Sequence, residues 1–251
     1  MTLPKHTKDR VMKKIVLSII LAGSIFAADN LAQSFDLGFT NTTGNSRTTN
    51  LNAKYALGYK TIGLYTRPLD VKFSLAAYYA KDKGIKSNEE YTADLTLEQM
   101  IQDGWLGYFS FDWLRNPDFK NYDGKYEFAL GVGKEIYKTD RSNLKVKFGI
   151  GYNILDFADT TPTDTYASLV QELDYTNKIN DLSLFYANLK ANEGLDNFSK
   201  NYELGATIGL KFDLTPTYHV VLEEQMLYDH LPPAGHKKTD TKTIVRLGLS
   251  F

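Results

Sequence analysis

The chain of 251 residues contains no cysteine. That excludes a disulfide scaffold, a zinc–thiolate site, a catalytic thiol and a lipoprotein anchored through an N-terminal cysteine. It also lacks an apolar run of about 18 residues, the length a membrane-spanning helix needs. Basic residues form no long cluster and the net charge is -1, so nothing provides an electrostatic footprint for nucleic acid, and no nucleic-acid partner is expected. What the chain does have is 43% hydrophobic and 13% aromatic residues, too many for a disordered polymer. A soluble protein or a β-barrel remains.

The first segment reads as an export signal. Met12-Lys13-Lys14 is followed by apolar residues from Ile15 to Leu21 and then by Ala22-Gly23-Ser24-Ile25-Phe26-Ala27-Ala28. This is the charged, apolar, small-residue order of a secretory signal peptide, with cleavage expected near Ala27 or Ala28. Met1 to Val11 then form an N-terminal extension, or translation starts at Met12. The expected organisation is 1–28 as extension and signal peptide and 29–251 as one β-barrel domain. Residues 1–28 carry Lys5, Lys8, Arg10, Lys13 and Lys14 against Asp9, so 24 basic and 29 acidic residues remain in the mildly acidic exported chain.

Beyond residue 33 apolar and polar residues alternate, the mark of a half-buried strand. Phe35, Leu37 and Phe39 interleave with Asp36, Gly38 and Thr40; the same period recurs in Leu144/Val146/Phe148/Ile150/Tyr152/Ile154 and in Tyr202/Leu204/Ala206/Ile208/Leu210/Phe212. Twelve such runs can be counted. Two stretches, 88–101 and 166–189, also place apolar residues three and four apart and can be read as helices. Proline supports the strand reading, because it cannot donate to a ladder. Pro4 precedes the signal, and Pro68, Pro117, Pro162, Pro216, Pro232 and Pro233 fall between the runs.

Sandwiches and membrane barrels both alternate, so connection lengths discriminate. The connections 99–103, 138–142, 176–180 and 215–217 are short, whereas 81–88, 115–123, 158–164, 190–199 and 229–240 are longer and more polar. That parity fits an outer-membrane barrel; the Gly44-Asn45 hairpin and the link 61–70 break it. Trp105 and Trp113 fall on one strand face, about 26 Å apart along the strand and roughly 20 Å along a tilted barrel axis, a spacing suited to two interfacial aromatic girdles. The soluble alternative makes them core tryptophans. Terminal Phe251, after Leu249 and Leu247, suits recognition by the barrel-insertion machinery, although Arg246 stands where that signal favours glycine. The expected fold class is all-β: an antiparallel up-and-down transmembrane β-barrel of about 12 strands, with outer-membrane lipids as partners.

The segment Thr43-Gly44-Asn45-Ser46-Arg47-Thr48-Thr49-Asn50-Leu51-Asn52 resembles the opening of the salt-stress-induced outer-membrane protein family, bacterial barrels defined as a domain of unknown function. The resemblance implies an outer-membrane barrel and a link to osmotic stress, and brings no catalytic residues. Gly44-Asn45 is also a turn that any hairpin favours.

If the apolar faces meet lipid, the other faces line a lumen. They carry Asp36, Lys54, Lys72, Glu90, Asp94, Glu98, Asp112, Glu127, Glu135, Lys145 and Lys147. Later runs add Glu172, Asp174, Glu203, Lys211, Asp213, Glu223, Lys242 and Arg246. The signs are mixed, which suits either structural ion pairs or a weakly selective pore for small solutes rather than an anion channel with a basic wall.

Enzymatic readings have little to stand on. No His-x-Ser is present to pair an imidazole with a hydroxyl on one strand face. His6 lies in the leader, His230 and His236 in an expected outer loop, and His219 stands alone at a strand start. Asp156, Asp159 and Asp164 match no calcium-loop spacing. No catalytic residue, cofactor or metal site is expected. The readings left open are a narrow pore or envelope-stabilising barrel, a surface enzyme acting on lipid or polysaccharide, and an adhesin or receptor using 81–88, 190–199 and 229–240.

Overall fold

The computed structural model describes residues 30–43, 49–82, 85–117, 120–197, 201–232 and 235–251. The expected signal peptide and the Gly44-Asn45-Ser46 turn lie outside the described residues. Among them are twelve strands: Leu31–Thr43 (β1), Thr49–Ile62 (β2), Pro68–Asp82 (β3), Ile85–Gln102 (β4), Trp105–Asn116 (β5) and Tyr122–Lys138 (β6). The second half comprises Ser142–Phe157 (β7), Asp164–Asn180 (β8), Ser183–Gly194 (β9), Tyr202–Asp213 (β10), Tyr218–Asp229 (β11) and Thr239–Ser250 (β12). Each strand pairs antiparallel with its sequence neighbours, and β1 pairs with β12, so the sheet closes into a barrel with no free edge.

The two ambiguous stretches are strands, because closure gives every ladder a partner on both sides. Three of the long connections, 115–123, 158–164 and 229–240, stand close to the expected bounds, and two are shorter than their polarity suggested. β3 runs to Asp82 and β4 starts at Ile85, so most of 81–88 is strand; β9 extends to Gly194 through half of 190–199. In β9, Lys190 and Asn192 point into the barrel, which a local pattern cannot tell from loop. Pro68 opens β3 instead of preceding it, at a strand end that tolerates the missing N–H. The β4–β5 turn is Asp103-Gly104, with φ of 48° and 80°, the two left-handed residues that a tight hairpin needs. Short turns of this kind define one end of the barrel, hereafter the short-turn end, where Phe251 also lies.

The large apolar side chains face outward. Phe39, Leu130 and Ile150 are 61%, 68% and 66% exposed, a surface that needs an apolar solvent. Trp105 and Trp113 both belong to this face. Trp105 sits near the short-turn end with the Lys134 ammonium 4.9 Å from its ring centroid, and Trp113 lies toward the opposite end beside Tyr126. The buried set is instead dominated by polar groups, among them Asp36, Glu90, Glu98, Glu127, Lys147 and Arg246. Its apolar share is modest: Leu106, Tyr108, Ala129 and Val170 form one cluster inside the wall of β5–β8.

Candidate functional site: the barrel lumen

Inward-facing residues follow from strand parity, and the sheet's closure then decides which of them meet. Glu98 on β4 receives Lys145 at 2.6 Å, Lys147 at 3.1 Å and Lys72 at 3.5 Å. Lys147, only 2% exposed, also holds Glu172 at 3.0 Å and Asp174 at 2.8 Å. A lysine so deeply buried is tolerable only with several carboxylates around it. Asn188 donates to both Glu172 and Asp174, completing the network on this side of the barrel.

Other pairs cross the lumen. Lys190 on β9 reaches Asp112 on β5 at 2.6 Å and Glu127 on β6 at 2.5 Å, while Asn192 donates to Glu127 at 2.7 Å. Lys125 on β6 pairs with Glu203 on β10, and Lys242 on β12 pairs with Glu90 on β4. Glu90 also accepts from Asn116 at 2.9 Å and faces Lys120 at 3.9 Å. Arg246 meets Glu223 at 3.1 Å, with the Tyr186 hydroxyl donating to the same carboxylate. Toward the short-turn end Lys211 pairs with Asp213, and Glu135 with Lys138 and Asn143.

Lys125, Lys190 and Asn192 are partners that the sequence reading missed. The sequence pattern places Lys190 in an outer loop, and the structure corrects this to the lumen wall. Parity alone could have found Lys125, which shares its face with Glu127. No local pattern could have found its partner Glu203, because the two belong to strands on opposite walls.

His219 is not isolated. Its Nε2 lies 2.6 Å from Asp36 on β1 and its Nδ1 lies 3.0 Å from the Ser250 hydroxyl. The ring passes over Gly248 of β12, where a Cβ would stand 1.9 Å from Asp36 Oδ1 and 2.2 Å from His219 Nε2. Only glycine leaves room for this staple across the closing seam. An imidazole between a carboxylate and a hydroxyl has the order of a nucleophile relay, but the nearby N–H groups are already committed. Ser250 donates to the Thr217 carbonyl and Phe251 to the Gln33 carbonyl, so neither can serve an oxyanion.

Among the described residues no group of three or more potential ligands is placed to hold a metal ion. Asp159 is bound by Thr161 of its own loop, from both side chain and backbone, and by Asn121 of the β5–β6 connection, which together hold its carboxyl below the usual aspartate value.

The lumen is asymmetric. The cluster around Glu98 and Lys147 fills one side, whereas Ala56, Gly58, Ser74, Ala76, Gly205 and Thr207 leave space along β2, β3 and β10. A vestibule of about 1190 Å³ opens at the short-turn end, reaching from Phe251 and Pro216 up to Lys54 and Asp94. Beyond it lies a cavity of about 300 Å³ that shares Lys54, Ser74 and Asp94 with the vestibule. A second cavity of about 290 Å³ adjoins it, sharing Asp94 and Lys190. Near the other end, between Lys125, Glu203 and Lys238, the space falls to about 30 Å³, roughly one water molecule's share of liquid.

Solved structures similar to this chain are outer-membrane barrels. An outer membrane channel from Pseudomonas putida F1 aligns with TM-score 0.55 at 11% identity, over 88% of this chain and 96% of its own. The NanC porin aligns with TM-score 0.53 at 10% identity over 86% and 98%. The outer membrane phospholipase A of Escherichia coli aligns with TM-score 0.52 at 13% identity over 86% and 95%. At such identities the likeness establishes the architecture, that of an outer-membrane β-barrel, which porins and an enzyme share. No curated protein matches the sequence. A family model does, over residues 35–251, nearly the whole barrel: the chain belongs to the DUF481 family, described as proteins of unknown function.

Proposed function

We propose that the chain is exported through its N-terminal signal and works in the bacterial outer membrane as a non-enzymatic, narrow, weakly selective pore for small solutes. Its short-turn end faces the periplasm, and Phe251 contacts the insertion machinery during assembly. The observation that carries this reading is the run of cavities from the vestibule past Lys54 and Asp94 to the small space beside Lys125. That run passes beside the Glu98–Lys147 cluster, and the bridging pairs of Lys190, Lys125 and Lys242 line its narrow part. Weak selectivity follows from its mixed charges, Lys54, Lys72 and Lys211 against Asp94, Asp181 and Asp213 in the vestibule wall.

Planar-bilayer recording tests the proposal. Unitary current steps are expected, and Glu98→Gln should leave their reversal potential in a salt gradient unmoved, because Glu98 is buried among three lysines off the path. Silence in both polarities would remove the pore. A second reading, an envelope-stabilising barrel linked to salt stress, would then take its place. Its supporting observation is the bracing of opposite walls by Lys190, Lys125 and Lys242; the stress link itself comes from the resemblance of the Gly44-Asn45-Ser46 segment.

A further inference from the structure

The lumen lysines that bridge opposite walls, Lys125, Lys190 and Lys242, each touch a carboxylate. Lys54 does not: among the described residues no carboxylate oxygen lies within 4.0 Å of its ammonium. The acids around it are engaged elsewhere. Asp36, its cross-strand neighbour, is bound to His219, and Glu223 is bound to Arg246 and Tyr186. Asp94 accepts a hydrogen bond from Ser74 at 2.7 Å and has no cation within 4.0 Å. Lys54 and Asp94 therefore face one space as an opposite pair that interacts at a distance without contact. They stand on β2 and β4, two strand spacings apart and two residues out of register, roughly 12 Å between backbones, and both border the vestibule and the cavity beyond it.

An unbridged cation and anion at the neck of a cavity are complementary to a ligand that carries both charges. A simple anion would gain Lys54 and be repelled by Asp94; a simple cation meets the reverse. We propose that this neck is a binding site for small zwitterions of the amino-acid type, the carboxylate on Lys54 and the ammonium on Asp94. The proposal rests on the pore reading for its physiological meaning and on the local geometry for its binding.

Calorimetric titration of the full barrel in detergent micelles separates the two. The probes are glycine, β-alanine and 4-aminobutyrate, which differ in charge spacing, against acetate and methylammonium. At least one zwitterion is expected to bind about tenfold or more tighter than either single-charge probe, as two charge-assisted hydrogen bonds require. Lys54→Met and Asp94→Asn should each remove that preference, while Lys54→Arg, which keeps the charge, retains it and separates loss of the ammonium from loss of the fold. Acetate binding as tightly as the zwitterions, no binding by any probe, or a preference unchanged in both neutral variants would each overturn the proposal. Zwitterion binding by a barrel that is silent in bilayers would remove the pore and leave the site; a conducting barrel with no zwitterion preference would do the opposite.

Discussion

Lys190 shows what a single lumen residue does for this fold. Its ammonium is shared between Asp112 and Glu127, and the Glu127 side chain is 8% exposed. Replacing it with methionine would strand two carboxylates beside each other with one cation gone, a loss of about 3 kcal/mol or more by analogy with other broken buried pairs. Denaturant unfolding of the barrel in lipid vesicles should show the midpoint of Lys190→Met well below that of the parent; equal midpoints would mean that water, not lysine, satisfies those acids. Many of the charged residues, though not Lys125 or Lys190, were legible in the sequence from the polar parity of their runs. Their pairing was not. Lys190 even looked like loop, since nothing near it in sequence indicates that Asp112, on a strand four places round the barrel, is its partner.

At the scale of strands, the closing seam has a steric requirement that period two does not express. β11 sends His219 across β12 to Asp36 on β1, and Gly248 supplies the gap. A methyl group there would meet both side chains well inside contact distance, so Gly248→Ala must displace the staple, at a cost of about 1–3 kcal/mol for overpacking. Gly58 is the control: nothing lies within 4 Å of its virtual Cβ, which would stand in the vestibule. Heat-modifiable gel mobility, which separates folded from unfolded barrels, should show Gly248→Ala unfolding at lower temperature and Gly58→Ala unchanged. Identical behaviour of the two would count against the seam contact. Strand existence was readable from alternation except over 88–101 and 166–189, where helix spacing competed, and strand ends were not. β9 is held by ladders on both sides and the start of β4 by its ladder with β3, so neither needs a local apolar pattern to stay extended.

For the molecule as a whole, the inverted distribution of polarity is the dominant fact: oily outside, charged inside. With Trp105 and Trp113 both on the outer face, lipids brominated on their acyl chains should quench the intrinsic fluorescence of the reconstituted barrel strongly, and a water-soluble quencher should have little effect. The reverse pattern would argue that these rings do not meet hydrocarbon. The sequence by itself determined that there would be about twelve strands, that one face of each would be apolar, and that charges of both signs would share the other face. Those are consequences of a two-residue repeat, which any strand displays locally. Only the closed tertiary structure decided which charges neutralise one another, that ion pairs brace the lumen while a vestibule opens at one end, and that Lys54 and Asp94 have no ionic partner among the described residues. Closure brings together residues as far apart in the chain as Glu90 and Lys242, and no periodicity along a chain specifies contacts across the space it encloses.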